Sequence, residues 1–241
     1  ITIGLDFKAI KAMDDGSLRV EYERDGEALH AQGDIVLLAT GRRPNTKTLE
    51  LEVLGIDTEG SAIKVDEFLE TTVPNIYAIG DCTGGYMFAH VASHEAEIAV
   101  ENILGGDRKA DYRVIPICIF TMPEIADVGM TEAQAEETEL EYTVTRFPFR
   151  ANGRALAIGE TYGQVRMICE KTSEGDGGKV LGVHIIGPRA GDLIAEAALA
   201  MHFEATAEDI AHTIHAHPTI PEAMMEAAMA HSCGAIHYER R

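Results

Sequence analysis

The chain has 241 residues, 46% hydrophobic and 25% charged, and 40 acidic against 20 basic side chains give a formal net charge of −20. At that length roughly 70% of the unfolded chain's surface is buried on folding, which suits two compact parts. So acidic a surface repels phosphate backbones, arguing against nucleic-acid binding, and favours a basic protein partner.

No run approaches the roughly 18 apolar residues of a membrane span, and the first ten residues lack a basic start followed by an apolar stretch. Neither a membrane span nor a signal peptide is expected. Cys82, Cys118, Cys169 and Cys233 are widely spaced, with no CxxC, so a reducing, cytoplasmic setting is expected. Cys118 and Cys169 sit in the apolar runs IPICIF and VRMIC and read as small buried hydrophobes. The chain opens on Ile, inside a strand-like segment, and reads as a piece of a longer protein.

Taken in order, LRVEYERDGEALHAQG alternates apolar and polar residues on either side of Asp25-Gly26, a hairpin signal. The apolar run at 35–39 (IVLLA) then predicts a buried strand, closed by Gly41 and Pro44. Between 62 and 81 the pattern gives a short strand, a turn at Pro74-Asn75 and an apolar strand at 76–79, closed by Gly80-Asp81. After the loop CTGGY, the periodicity of MFAHVASHEAEIAVENIL predicts a helix that stops at Gly105-Gly106. Strand, Gly-rich loop and helix start together predict a parallel-sheet unit with a ligand mouth.

Beyond Pro116 the character changes. Thr131-Glu132-Ala133-Gln134 is a capping box that opens a short acidic helix. YTVTRFPF, GQVRMICE and KVLGVHIIG read as strands split by turns such as EGDGG, an antiparallel sheet. RAGDLIAEAALAMHF is an amphipathic helix with Leu193, Ile194, Ala197, Ala198 and Met201 on one face, and Thr206 with Asp209 caps the next. This second part is α+β. The alanines at 195, 197, 198 and 200, and Met224, Met225 and Met229, form small or pliable faces suited to a core.

HAHPTIPEA holds the candidate chemistry. An imidazole titrates near neutrality and a neighbouring carboxylate stabilises its charged form, so His217 with Glu222 suits a general base. Thr219-Ile220-Pro221-Glu222 is equally a capping box, which leaves Glu222 a plain helix cap as the alternative. A cis bond at His217-Pro218 is one way to aim the ring. His212, His215 and His217 also cluster, but with no cysteine nearby a zinc site is not expected.

LLATGRRPNT, VPNIYAIGD, PFRANGRAL, VLGVHIIGPRAGDLIAEA and HAHPTIPEA, in this order, resemble the C-terminal half of the dihydrolipoamide dehydrogenases, FAD-dependent pyridine nucleotide-disulphide oxidoreductases. HAHPT and PFRANGRAL favour that branch over the glutathione-reductase-like one. The resemblance implies an α/β and α+β architecture. Residues 1–43 would be the tail of a Rossmann-like NAD-binding domain, 44–113 the second segment of an FAD-binding domain, and 114–241 an antiparallel interface (dimerisation) domain.

The same resemblance makes His217 the proton acceptor, Glu222 its orienting partner and His215 a support, acting on the disulphide of the other subunit of a homodimer. It places Asp81, Met87, Phe88 and the Ala89 backbone at FAD, with the helix start facing the flavin, and Ala39, Thr40, Gly41 and Arg42 beside NAD. The implied partner is a lipoyl-bearing acyltransferase of a 2-oxo acid dehydrogenase complex. The family's GxGxxG fingerprints and its CxxxxC redox pair do not occur here, so these residues alone are expected to be inactive. The alternatives are another disulphide reductase of the family, glutathione-reductase-like, and a non-catalytic acidic dimerisation or docking module.

Overall fold

The computed structural model describes residues 1–172 and 177–238. They form two compact units, one of Ile1–Asp66 with Glu70–Ala92, the other of Glu67–Leu69 with the described residues from Ser93 onward.

In the first unit β1 (Asp6–Ala12), β2 (Leu18–Arg24) and β3 (Glu27–Gly33) make an antiparallel meander. Arg24 pairs with Glu27 across a two-residue turn in which Asp25 and Gly26 have φ 53° and 81°. That left-handed geometry matches strand twist, and Asp-Gly adopts it cheaply, so this expectation holds. The strand expected at 35–39 does not form. Ile35 and Leu37 are each 87% exposed and the backbone is irregular. An apolar run becomes a strand only where a neighbour completes its ladder, and among the described residues none pairs with it.

The rest of this unit is one helical turn, α1 (Leu51–Leu54), and a short pairing of β4 (Thr58–Glu59) with β5 (Ala62–Ile63). Leu51, Ile56, Ile63 and Ala78 form its small core, with Val65, Val73, Ile76 and Cys82 against it. The strand expected at 76–79 reduces to a single antiparallel bridge between Tyr77 and Glu70, because its apolar residues fill this core instead of a ladder. Every strand pairing described is antiparallel, so the expected parallel-sheet unit is replaced by a 3₁₀ turn at Gly80–Thr83 leading to α2 (Ala89–Ile103). Met87 and Phe88 precede that helix.

In the second unit β6 (Ile117–Ile119), β7 (Glu124–Gly129), β8 (Tyr142–Pro148), β9 (Gln164–Lys171) and β10 (Gly177–Gly187) form an antiparallel sheet in the order β6-β7-β10-β9-β8. Its helices are α3 (Glu132–Glu136), α4 (Gly153–Ile158), α5 (Ala190–His202), α6 (Ala207–His212) and α7 (Glu222–Met229). α5 packs on β7 and β10, and α7 on β8 and β9. Val165, Met167 and Cys169 of β9 and Val183 and Ile185 of β10 alternate into one core with Leu193, Ile194 and Ala197 of α5 and Ala223, Met224 and Ala227 of α7. This is the period-2 and period-3.6 patterning the sequence carries. Of the turn EGDGG, residues 173–176 lie outside the described part, and Gly177 already begins β10.

Burial pushes the Cys169 thiol up to about 12, whereas Cys118 is only half-buried. Among the described residues no helix is long and apolar enough to cross a membrane.

The helix caps read at Thr131 and Thr206 form. The Thr131 hydroxyl accepts the Gln134 N–H while the Gln134 side chain accepts the Thr131 N–H, and Thr206 and Asp209 do the same. Thr131→Ala is expected to cost about 1 kcal/mol, read as a lowered midpoint in thermal unfolding. An unchanged midpoint would show that the box contributes nothing.

Candidate active site

The loop between α6 and α7 is built around two histidine and carboxylate contacts. The His217–Pro218 bond is cis, as the sequence reading allowed. The His217 ring is 72% exposed and its Nδ1 stands 2.8 Å from Glu222 Oε1. The Glu222 side chain is only 15% exposed. Its other oxygen accepts the Thr219 N–H at 2.8 Å.

Glu222 therefore caps and orients at once. The expected capping box is only half formed, because the Thr219 hydroxyl donates to the Ala216 carbonyl at 2.6 Å instead of accepting from the helix. With a carboxylate at Nδ1, that nitrogen carries the hydrogen and Nε2 is left with the lone pair. Burial pushes the Glu222 carboxyl upward, but the Thr219 amide, the His217 bond and the charges of His217 and His237 outweigh it and leave the group below its ordinary range. The stabilisation this brings is fully present above the ordinary carboxylate value and is lost as pH falls through the lowered one.

Two further residues hold the loop. His215, 6% exposed at its side chain, faces acceptors on both nitrogens: the Thr213 carbonyl at 2.8 Å and Glu196 Oε1 at 2.9 Å. Asn152, the N-cap of α4, accepts the Ala155 N–H at 2.9 Å and donates through Nδ2 to the Thr219 carbonyl at 3.1 Å. Thr219 is thus gripped on both sides of its backbone.

Sequence reasoning missed Glu196, Asn152 and Glu226. Glu196 is the acid among the alanines of α5, Asn152 sits inside PFRANGRAL, and Glu226 follows Glu222 by four on a helix face otherwise apolar. Each was legible as a polar group in an apolar setting. His212 lies 3.8 Å from Glu208, away from His215 and His217's partners, and among the described residues no three or more metal-binding side chains converge.

The first unit collects the other singled-out residues. The Arg42 guanidinium donates to the Met87 carbonyl and lies 3.6 Å from Asp81. Gly80, at φ +70°, lets this turn close on α2: a Cβ there would meet Ala92 Cβ at 3.0 Å. Phe88 stacks on His90 with centroids 5.3 Å apart, and Ala89 opens the helix. Arg42, Asp81 and Met87 are therefore together. Ala39, Thr40 and Gly41 lie exposed in irregular backbone.

A profile of the pyridine nucleotide-disulphide oxidoreductases matches residues 2–96, and one of their dimerisation domain matches residues 115–228. The chain belongs to this family. Dihydrolipoyl dehydrogenase of Bacillus subtilis is 46% identical over 231 residues, 95% of this chain and 48% of its own length. The mitochondrial dihydrolipoyl dehydrogenase of Homo sapiens is 45% identical over 223 residues, 91% and 43% of the two chains.

The solved structure of LpdA from Mycobacterium tuberculosis superposes with a TM-score of 0.82 at 30% identity, covering 93% of this chain and 48% of its own. The HOCl-induced flavoprotein disulphide reductase RclA of Escherichia coli gives 0.80 at 27%, covering 92% and 50%. The chain spans about half the length of the curated relatives it matches. The His217 loop falls within the dimerisation-domain match, and Arg42, Asp81 and Met87 within the other.

Proposed function

We propose that this chain supplies the C-terminal half of a dihydrolipoamide dehydrogenase, which oxidises protein-bound dihydrolipoamide through a redox disulphide and FAD to NAD. The observation that carries the reading is the exposed His217 ring, held at Nδ1 2.8 Å from the largely buried Glu222. A substrate thiol gives its proton to Nε2, and the thiolate then attacks the disulphide of the second subunit of a homodimer. The carboxylate steadies the imidazolium that results. The relatives' shared name supports the lipoamide branch over a glutathione-reductase-like one.

The donor set at Arg42, Asp81 and the start of α2 suits FAD. A carboxylate accepts from ribityl hydroxyls, and a helix N-terminus favours the electron-rich flavin edge. We assign Asp81, Met87, Phe88 and Ala89 to FAD, and Ala39, Thr40, Gly41 and Arg42 to the NAD side. Arg42's bond to Met87 lets it steady both. Bound FAD would supply the electron acceptor for the reduced dithiol. The division into 1–43, 44–113 and 114–241 goes with this reading, as does a cytoplasmic setting, supported by free thiols at Cys118, Cys169 and Cys233.

Replacing His217 by Gln in the full-length protein tests the assignment: turnover with dihydrolipoamide should collapse while NADH oxidation by an artificial acceptor survives, and equal losses would refute it. A second reading, docking on a basic lipoyl-bearing acyltransferase, is favoured by the net charge of −20 and is compatible with the first.

A further inference from the structure

Helix α7 carries a second carboxylate beyond Glu222. Glu226 lies one turn further along the same helix, with its side chain 2% exposed on the face that also buries Ala223 and Ala227. A charge so placed must be matched by donors. They come from one short segment: Oε2 accepts the Ile236 N–H at 2.7 Å and the His237 N–H at 3.3 Å, and Oε1 meets His237 Nδ1 at 2.5 Å. The next residue ties the segment again, since the Tyr238 hydroxyl accepts from Arg150 at 3.2 Å and its ring stands edge-on to Phe147.

We propose that Glu226 is a positioning residue for the His217–Glu222 pair: it clasps residues 236–238 to α7 and so fixes the helix whose first residue reaches His217. This rests on the reading of His217 as the base. α7 has eight residues and its N-cap, Pro221, offers no side-chain cap, so the helix has little stability of its own. Its rotation follows from what its buried face grips. Residues four apart share a helix face, so the grip at Glu226 is transmitted to Glu222. His237, held by Glu226, also contributes to the field on the Glu222 carboxyl, behind burial, the Thr219 amide and His217.

The test compares Glu226→Gln, Glu222→Gln and the double variant in the full-length flavoprotein, for turnover of dihydrolipoamide and for NADH oxidation by ferricyanide. Glu226→Gln should lower dihydrolipoamide turnover about tenfold and leave the ferricyanide rate within about twofold; a general loss of structure would lower both. In the Glu222→Gln background it should add nothing, because residues that act through one another are not additive. His237→Gln alters an exposed ring, should cost about threefold in the same assay, and keeps the test open if the Glu226 variants do not fold.

Unchanged dihydrolipoamide turnover in Glu226→Gln, or in His237→Gln where only that variant folds, overturns the clasp. So do losses that multiply in the double variant. In either case a loss in Glu222→Gln leaves the base assignment standing. If Glu222→Gln itself has no effect, the base assignment and the clasp fall together.

Discussion

In the full-length protein, His217→Gln should cut dihydrolipoamide oxidation by about 10²- to 10⁴-fold, the usual worth of a general base, with NADH oxidation by ferricyanide within about twofold of wild type. The glutamine side chain fills much the same space and hydrogen-bonds to Glu222, but it takes up no proton at neutral pH. The loss should therefore fall on kcat for the dithiol and leave KM nearly unchanged. Glu222→Gln should lose less, about tenfold to a hundredfold, since an amide still accepts the Thr219 N–H that Glu222 holds at 2.8 Å. A matched decline in both assays would mean that the ring supports structure and moves no proton.

Gly163→Ala should destabilise the second unit by about 3 kcal/mol or more, as expected where a strained backbone meets a clash. Gly163 sits just before β9 at φ +94°, and a Cβ there would lie 1.8 Å from the Ile186 carbonyl oxygen and 2.6 Å from its carbon. Both are backbone atoms of β10, so no side chain can swing aside. The strands must part where Gln164 pairs with Ile186, at the end of the central ladder. Gly159→Ala is the control. That residue also has positive φ, at 75°, but a Cβ would meet nothing within 4 Å. It should cost only the backbone term, about 1–2 kcal/mol. Thermal unfolding followed by circular dichroism separates the two. Equal midpoints would show that the strands yield more easily than this packing implies.

How much was legible in the sequence followed from how local each signal is. β8, β9, β10, α5 and the boxes at Thr131 and Thr206 were readable because their patterns repeat within a few residues and their partners lie in this chain. The runs at 35–39 and 76–79 have a buried strand's composition, yet composition does not supply a neighbouring ladder. One run lies exposed and the other packs its residues into a small core.

The same rule divides the candidate site. His217 and Glu222 are five residues apart and could be paired by reading. His215 and Glu196 are 19 apart, Asn152 and Thr219 are 67, and Arg42 and Met87 are 45. Only the fold joins those. The half-formed box at Thr219 shows a further limit, since one carboxylate can serve a helix start and an imidazole together, and a motif names only one of these roles.

The most direct measurement uses mixed dimers of the full-length protein, pairing a His217→Gln subunit with one whose redox cysteines are replaced by serine. Neither parent homodimer should turn over dihydrolipoamide appreciably. A base that serves the neighbouring subunit's disulphide predicts one working site per mixed dimer, about half the wild-type rate, as two-fold symmetry requires. Mixed dimers no more active than their parents would contradict it, and would place His217 in the service of its own chain.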